Sequence, residues 1–224
     1  MKLFILTAAA TLAFSAERFD MEVRNDFFAG FSGNKEALDR AMQKSEAVMT
    51  ANPKHAEAMV WHGGGLMMLS RTAFQSGDTE KGSELFARAQ KEMDDAVALE
   101  PDNVGVRIPR GAVLMAAGRG IHERNPELGR KMLEKAASDY EHVYNLQSAR
   151  LSHLGQHPLG ELLFGIADTN SRLGNQDRAA EFFDKIESLL PNTPYAKRAA
   201  LWRETKSLPL AQTGCIGCHT AAVK

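Results

Sequence analysis

The chain carries no cysteine before position 215 and only two in all of its 224 residues. A disulfide framework is therefore excluded as the source of its stability. Runs in which Val, Ile or Thr alternate with polar residues are absent, which argues against strands. The formal net charge is −1, so no excess of one sign creates a field toward nucleic acid or an anionic membrane. No nucleic-acid partner is expected. After Phe14 no apolar run approaches the roughly 20 residues that span a bilayer, and no membrane span is expected in the mature chain. A phosphate-binding glycine loop, a metalloprotease motif and an ordered Ser/His/Asp set are missing as well. The many charges of "PELGRKMLEKAASDYEHV" fall at helical spacing and read as a solvated helix face rather than acid–base chemistry.

What is present begins with "MKLFILTAAATLAFSAERFD". Lys2 precedes an apolar run from Leu3 to Phe14, and small residues at Ala13, Ser15 and Ala16 precede Glu17. This is the layout of a secretory signal peptide over 1–16. The competing reading is a buried N-terminal helix. No cysteine stands near the cleavage position to carry a lipid. The mature chain is expected to begin near Glu17, in the periplasm or another extracytoplasmic space. Residues 17–34 follow as an N-terminal extension.

From about Asn34 the apolar residues recur at helical spacing. "KEALDRAMQKSEAVMTANP" places Leu38, Met42, Ala47 and Met49 near one face and stops at Asn52-Pro53. "HAEAMVWHGGGLMMLSRTAFQSGD" reads as a second helix, ending at Gly77-Asp78. A third carries Leu85, Ala89, Met93, Ala96 and Leu99 and ends at Pro101, whose ring forbids continuation. Further helices are predicted at about 103–118, 126–147, 158–173, 175–190 and 194–205. The fold class is all-α.

The helices come in pairs. "LGELLFGIADTNSRLGNQDRAAEFFDKIESLLPNTP" holds Leu163, Ile166, Gly174, Ala179, Phe183 and Pro191. This resembles the tetratricopeptide repeat, although Ala167 stands for the usual glycine and Asn170 for the usual aromatic. "NPKHAEAMVWHG", with Ala56, Met59 and Gly63, resembles the start of another such repeat, and Ala89, Met93, Ala96 and Pro101 its second half. Gly111, Leu114 and Gly118 open a third. Pro53 and Pro101 stand 48 positions apart, against about 34 in that family. The extra length amounts to roughly three helical turns. The resemblance covers about 35–206 and implies stacked antiparallel helix pairs with a concave groove for a peptide or partner protein. The alternative is an unrelated helical bundle.

The chain closes on a tail, 207–224, ending "GCIGCHTAAVK". Cys215, Cys218 and His219 form C-x-x-C-H, the attachment signature of c-type haem. Thiols three residues apart reach the two vinyl groups on one porphyrin edge. The next residue then offers its imidazole to the iron, and Gly214 and Gly217 ease the close backbone approach. In this pentapeptide alone the chain resembles c-type cytochromes. The resemblance implies one haem c, with Cys215 and Cys218 as thioether residues and His219 as axial iron ligand.

Other chemistries use the same residue types. A thioredoxin-like pair needs a strand–helix context that is missing. Structural zinc wants a fourth ligand, which a remote histidine would supply. A disulfide across so short a loop constrains little.

The short tail cannot enclose a porphyrin, whose apolar surface then calls for cover from the helical array. The leading candidate for a sixth iron ligand is His62, in "MVWHGGGLMM", where three glycines would leave room for a flat macrocycle. His122, His153, His157, Met67 and Met68 are the others, and each also reads as a packing or surface residue. Arg107 and Arg110 stand where the repeat expects apolar groups and suit propionates, which guanidinium binds bidentately. Trp61 could present its indole N–H in the same way. The function expected is electron transfer to or from a docked redox partner, with ligation tuning the potential. The alternatives are an interaction module with haem as a structural or sensory element, and a zinc-stabilised scaffold. No catalytic residue is expected.

Overall fold

The computed structural model describes residues 18–209; the leader reading and the C-x-x-C-H motif lie outside the described residues. Among those described there is no strand. Nine α-helices follow one another: α1 (Phe19–Phe31), α2 (Lys35–Ala51), α3 (Ala56–Gln75), α4 (Thr79–Leu99), α5 (Val104–His122), α6 (Pro126–Gln147), α7 (Gln156–Leu173), α8 (Gln176–Leu189) and α9 (Pro194–Thr205). A short 3₁₀ helix, Ser148–His153, separates α6 from α7. No helix among these residues is long and apolar enough to cross a membrane.

Polar residues fix where the helices start. The side chains of Asn34, Asp78, Asn103, Asn125 and Thr193 accept from the amides of Ala37, Lys81, Gly105, Leu128 and Ala196. Each such cap satisfies an amide with no intrahelical partner and contributes about 1 kcal/mol. His55 caps α3 through Nδ1, which accepts from the amide of Ala58 at 3.1 Å. That bond places the His55 proton on Nε2. Gly174 ends α7 at φ 85°, a backbone state that costs glycine nothing.

Each odd helix pairs with the even helix after it, α1 with α2 through α7 with α8, and α9 closes the row on α8. The hairpins are joined chiefly by the odd helices: α3 touches α1, α2 and α5, and α7 touches α5 and α6. The array is thus two rows, odd and even, with the apolar core between them. The predicted helices from 35 onward are all present. Residues 17–34, given no element in sequence, hold α1, whose Phe19, Val23 and Phe27 are buried.

The extra length is helical. α3, α4, α5 and α6 have 20, 21, 19 and 22 residues, and the odd helices α3 and α5 begin 48 positions apart, the even helices α4 and α6 47 apart. The odd helices run side by side close to that register: a Cβ on Gly105 would meet Glu57, 48 positions away, and one on Gly64 would meet Val113, 49 away. The 3₁₀ segment then breaks the spacing before α7.

Helix glycines divide by surroundings. A Cβ on Gly129 would lie 2.5 Å from the Cα of His122, backbone that cannot yield without moving α6 off α5. Gly120 has nothing within 4 Å of that position. Gly129→Ala is therefore expected to destabilise by about 2–3 kcal/mol through overpacking. Gly120→Ala should stabilise by about 0.5–1 kcal/mol, the ordinary helix preference. Urea denaturation of the two variants against the parent measures both; equal signs would contradict the packing described.

Candidate functional site

His62 lies within α3 at 0% exposure, and both of its ring nitrogens are engaged. Nδ1 stands 2.5 Å from Glu92 Oε2 on α4, and Nε2 stands 3.2 Å from Glu46 Oε1 on α2. One imidazole therefore ties its own hairpin to the preceding one. Burial pushes the Glu92 carboxyl up, but the hydrogen bonds and positive charges of His62 and Arg88 outweigh it and hold the group below the usual carboxylate range. In this arrangement His62 offers iron no open nitrogen. The Nδ1–carboxylate pairing is one that iron-ligating histidines also use, but a ligand role needs Glu46 displaced from Nε2.

The same device recurs 48 residues on. Arg110 of α5 sits in the register position of His62, and Asp94 in that of Glu46. The Arg110 guanidinium holds Asp139 of α6 through two bonds of 2.7 Å and reaches Asp94 of α4 at 2.9 Å. Asp139 has 0% exposure. Arg107 completes its coordination at 2.8 Å and donates from Nε to the Pro101 carbonyl. Both arginines considered for propionates are thus turned onto one buried aspartate, and neither fork is open toward a ligand. At the third junction the partners change. Arg119 of α5 pairs with Asp168 of α7, which Arg172 also holds at 3.0 Å. Arg178 of α8 grips Glu141 of α6 through bonds of 2.9 and 2.6 Å.

The glycines beside His62 do three different things. A Cβ on Gly63 would meet Met93 and the Ala89 carbonyl of α4, and one on Gly65 would meet Met42 and Phe27. Those two let neighbouring helices approach. Gly64 is buried too, and a Cβ there would meet Val113 of α5 at 3.2 Å and Phe31 of α1 at 3.8 Å. The room expected for a macrocycle is thus taken up by neighbouring helices at all three positions. Trp61 is buried, stacked on Phe27 at 5.4 Å, and its indole N–H has no hydrogen-bond partner.

The remaining candidates are dispersed. His157 Nδ1 is 2.9 Å from the Tyr195 hydroxyl, which donates to Glu161. His122 is exposed at the end of α5, Met67 is buried and Met68 is half-buried. His153 is exposed and lines an open cleft of about 530 Å³ with Arg150, Val104, Leu146 and Leu154. A second cleft, of about 580 Å³, lies across the 3₁₀ segment against Leu151, Leu159, Leu189 and Leu190. Cys215, Cys218 and His219 fall outside the described residues. Among the described residues no group of three or more His, Cys, Asp or Glu side chains is placed to hold a metal ion.

The carboxylates Glu46, Glu92, Asp94 and Asp139 were not singled out in sequence. The available signal was the 48-residue offset itself, which superposes Glu46 on Asp94 and His62 on Arg110. Compared with known proteins, the chain matches no family model, no curated protein and no solved structure.

Proposed function

We propose that this is an exported monohaem c-type protein, in which a two-row helical array carries a haem covalently attached to its C-terminal tail and serves electron transfer with a docked partner. The observation that carries the reading is C-x-x-C-H at 215–219, the only cysteines of the chain directly followed by a histidine. Cys215 and Cys218 would hold the porphyrin edge and His219 the iron. The bound group supplies one-electron chemistry; the array supplies position, apolar cover and a surface for the partner. The leader-like segment 1–16 supports export, where such attachment takes place.

The array is read as tetratricopeptide-like with lengthened repeats. Its support is the pairing of each odd helix with the next even one and the joining of hairpins through the odd row. His62 fits an iron ligand poorly, because carboxylates hold both its ring nitrogens, and Arg107 and Arg110 fit propionates poorly, because a buried aspartate holds them. The sixth position is accordingly assigned to none of them.

A pyridine haemochrome spectrum of the exported protein tests the proposal. The expected result is a spectrum of thioether-linked haem, one per chain, that is lost in Cys215→Ser/Cys218→Ser. Mature protein with an unmodified C-terminal peptide would overturn it, and a zinc-stabilised scaffold would then be the reading to pursue.

A further inference from the structure

Large apolar side chains exposed singly are ordinary on a folded protein. In this array several of them are aligned. Of the five exposed among the described residues, Leu99, Leu146 and Leu189 stand at or beside the last residue of α4, α6 and α8, between 40% and 52% exposed. They mark one edge of the array, where even helices end and odd helices begin. Both clefts open on this edge. Leu146 borders the cleft of Val104 and His153, and Leu189 borders that of Leu151 and Leu159. Leu154 lines both, so the two adjoin across the 3₁₀ helix. Ser148, Ser152 and Gln156 in one cleft and Gln147 in the other set polar groups among the leucines. Apolar side chains gathered along one rim in this way mark an interaction surface.

Charge names the occupant. Residues 142–160 contain no Asp or Glu, in a chain that has 28. Arg150 and His153 line the groove, both exposed, and neither has a hydrogen-bond or ion-pair partner among the described residues. Asp102 lines it too, but His142 engages that carboxylate at 2.7 Å. On the flanking helices Glu161 accepts from the Tyr195 hydroxyl at 2.7 Å, and Glu187 accepts from Arg203 at 2.6 Å. The groove thus offers apolar recesses and an unanswered positive charge. A second copy of the chain suits it badly, because a two-fold contact would set Arg150 and His153 against themselves. A fatty acid leaves the serines and glutamines without partners, whereas a peptide backbone can pair with them.

We infer that this edge groove binds an acidic, leucine-bearing segment of a partner protein, with apolar side chains in the two clefts and a carboxylate on Arg150. The inference uses no residue of the tail and stands apart from the haem reading.

Fluorescence anisotropy with the full-length exported protein decides the matter. The probes are a fluorescein-labelled peptide of leucine and glutamate and its leucine–lysine counterpart. The acidic peptide is expected to bind at least about tenfold more tightly, with the difference shrinking as salt rises. Arg150→Glu should weaken its binding about tenfold, and Leu189→Ser about threefold. Arg124→Glu makes the same charge change on an exposed arginine at the opposite edge, just after α5, and should leave binding unchanged. All three side chains are exposed, and circular dichroism checks that the variants keep the parent's fold. Equal binding of the two peptides, no binding of either at millimolar concentration, or parental affinity in Arg150→Glu would overturn the inference. So would displacement of the acidic peptide by laurate at equal concentration, which would assign the clefts to a fatty acid. Loss of a dimer in Leu189→Ser with peptide binding unaltered would also overturn it, since the edge would then belong to a second copy.

Discussion

Arg110→Ala is expected to lower the melting temperature by roughly 10 °C. The substitution leaves Asp139, at 0% exposure, with Arg107 as its remaining cation. Removing one partner of a buried, bidentate pair typically costs about 3–5 kcal/mol, because the surviving charge keeps its desolvation penalty. At about 2–4 °C per kcal/mol for a chain of this size, the fall in melting temperature follows. Thermal unfolding by circular dichroism measures it. Replacing both members with apolar groups, Arg110→Met with Asp139→Leu, should recover much of the loss, since no buried carboxylate is then stranded. A single variant within about 1 kcal/mol of the parent would mean that Asp139 is solvated in the folded protein.

His62→Ala should cost about 2–3 kcal/mol, less than Arg110→Ala because Glu92 retains Arg88 at 2.8 Å and sits nearer the surface. Its pH dependence is diagnostic. The Glu92 carboxyl is held below its ordinary value in the folded protein. Its stabilising contribution is therefore complete above the unfolded carboxylate range and is lost as the pH falls through the lowered folded value. The gap between parent and variant should be full near neutrality and close in acid. Urea titrations at several pH values measure this. If the chain carries the proposed haem, its spectrum in the variant should stay that of the parent, since both nitrogens of His62 are occupied by carboxylates. A displaced Soret band with unaltered stability would instead return His62 to the iron.

Much of the helical layout is legible in residue order, because caps and stops are local. Asn34, Asp78, Asn125 and Thr193 announce their helices, and Pro101 and Gly174 end theirs. α1 was not legible. Its Phe19, Val23, Phe27 and Phe31 make a helix face only in the presence of Trp61 and Leu38 from later in the chain. The triple glycine at 63–65 was read as one opening, but its members point toward three different neighbours, which depends on how α1, α2, α4 and α5 surround α3. The charged partners were hidden for a related reason: His62 meets Glu46 and Glu92, 16 and 30 residues away, and Arg110 meets Asp139 at 29. Odd polar residues on apolar faces, His62 and Arg110 among them, were noticed and assigned to an external ligand. Their carboxylates lie within the array itself.

His62 and Arg110 of the odd row each fasten two successive even helices at once, so none of the first three hairpins can leave without stranding a charge on its neighbour. A row of stacked units would otherwise fray from its ends, one unit after another. Stitched in this way, it should melt in a single step, with amides of α3 and α5 exchanging at one common rate set by whole-chain opening.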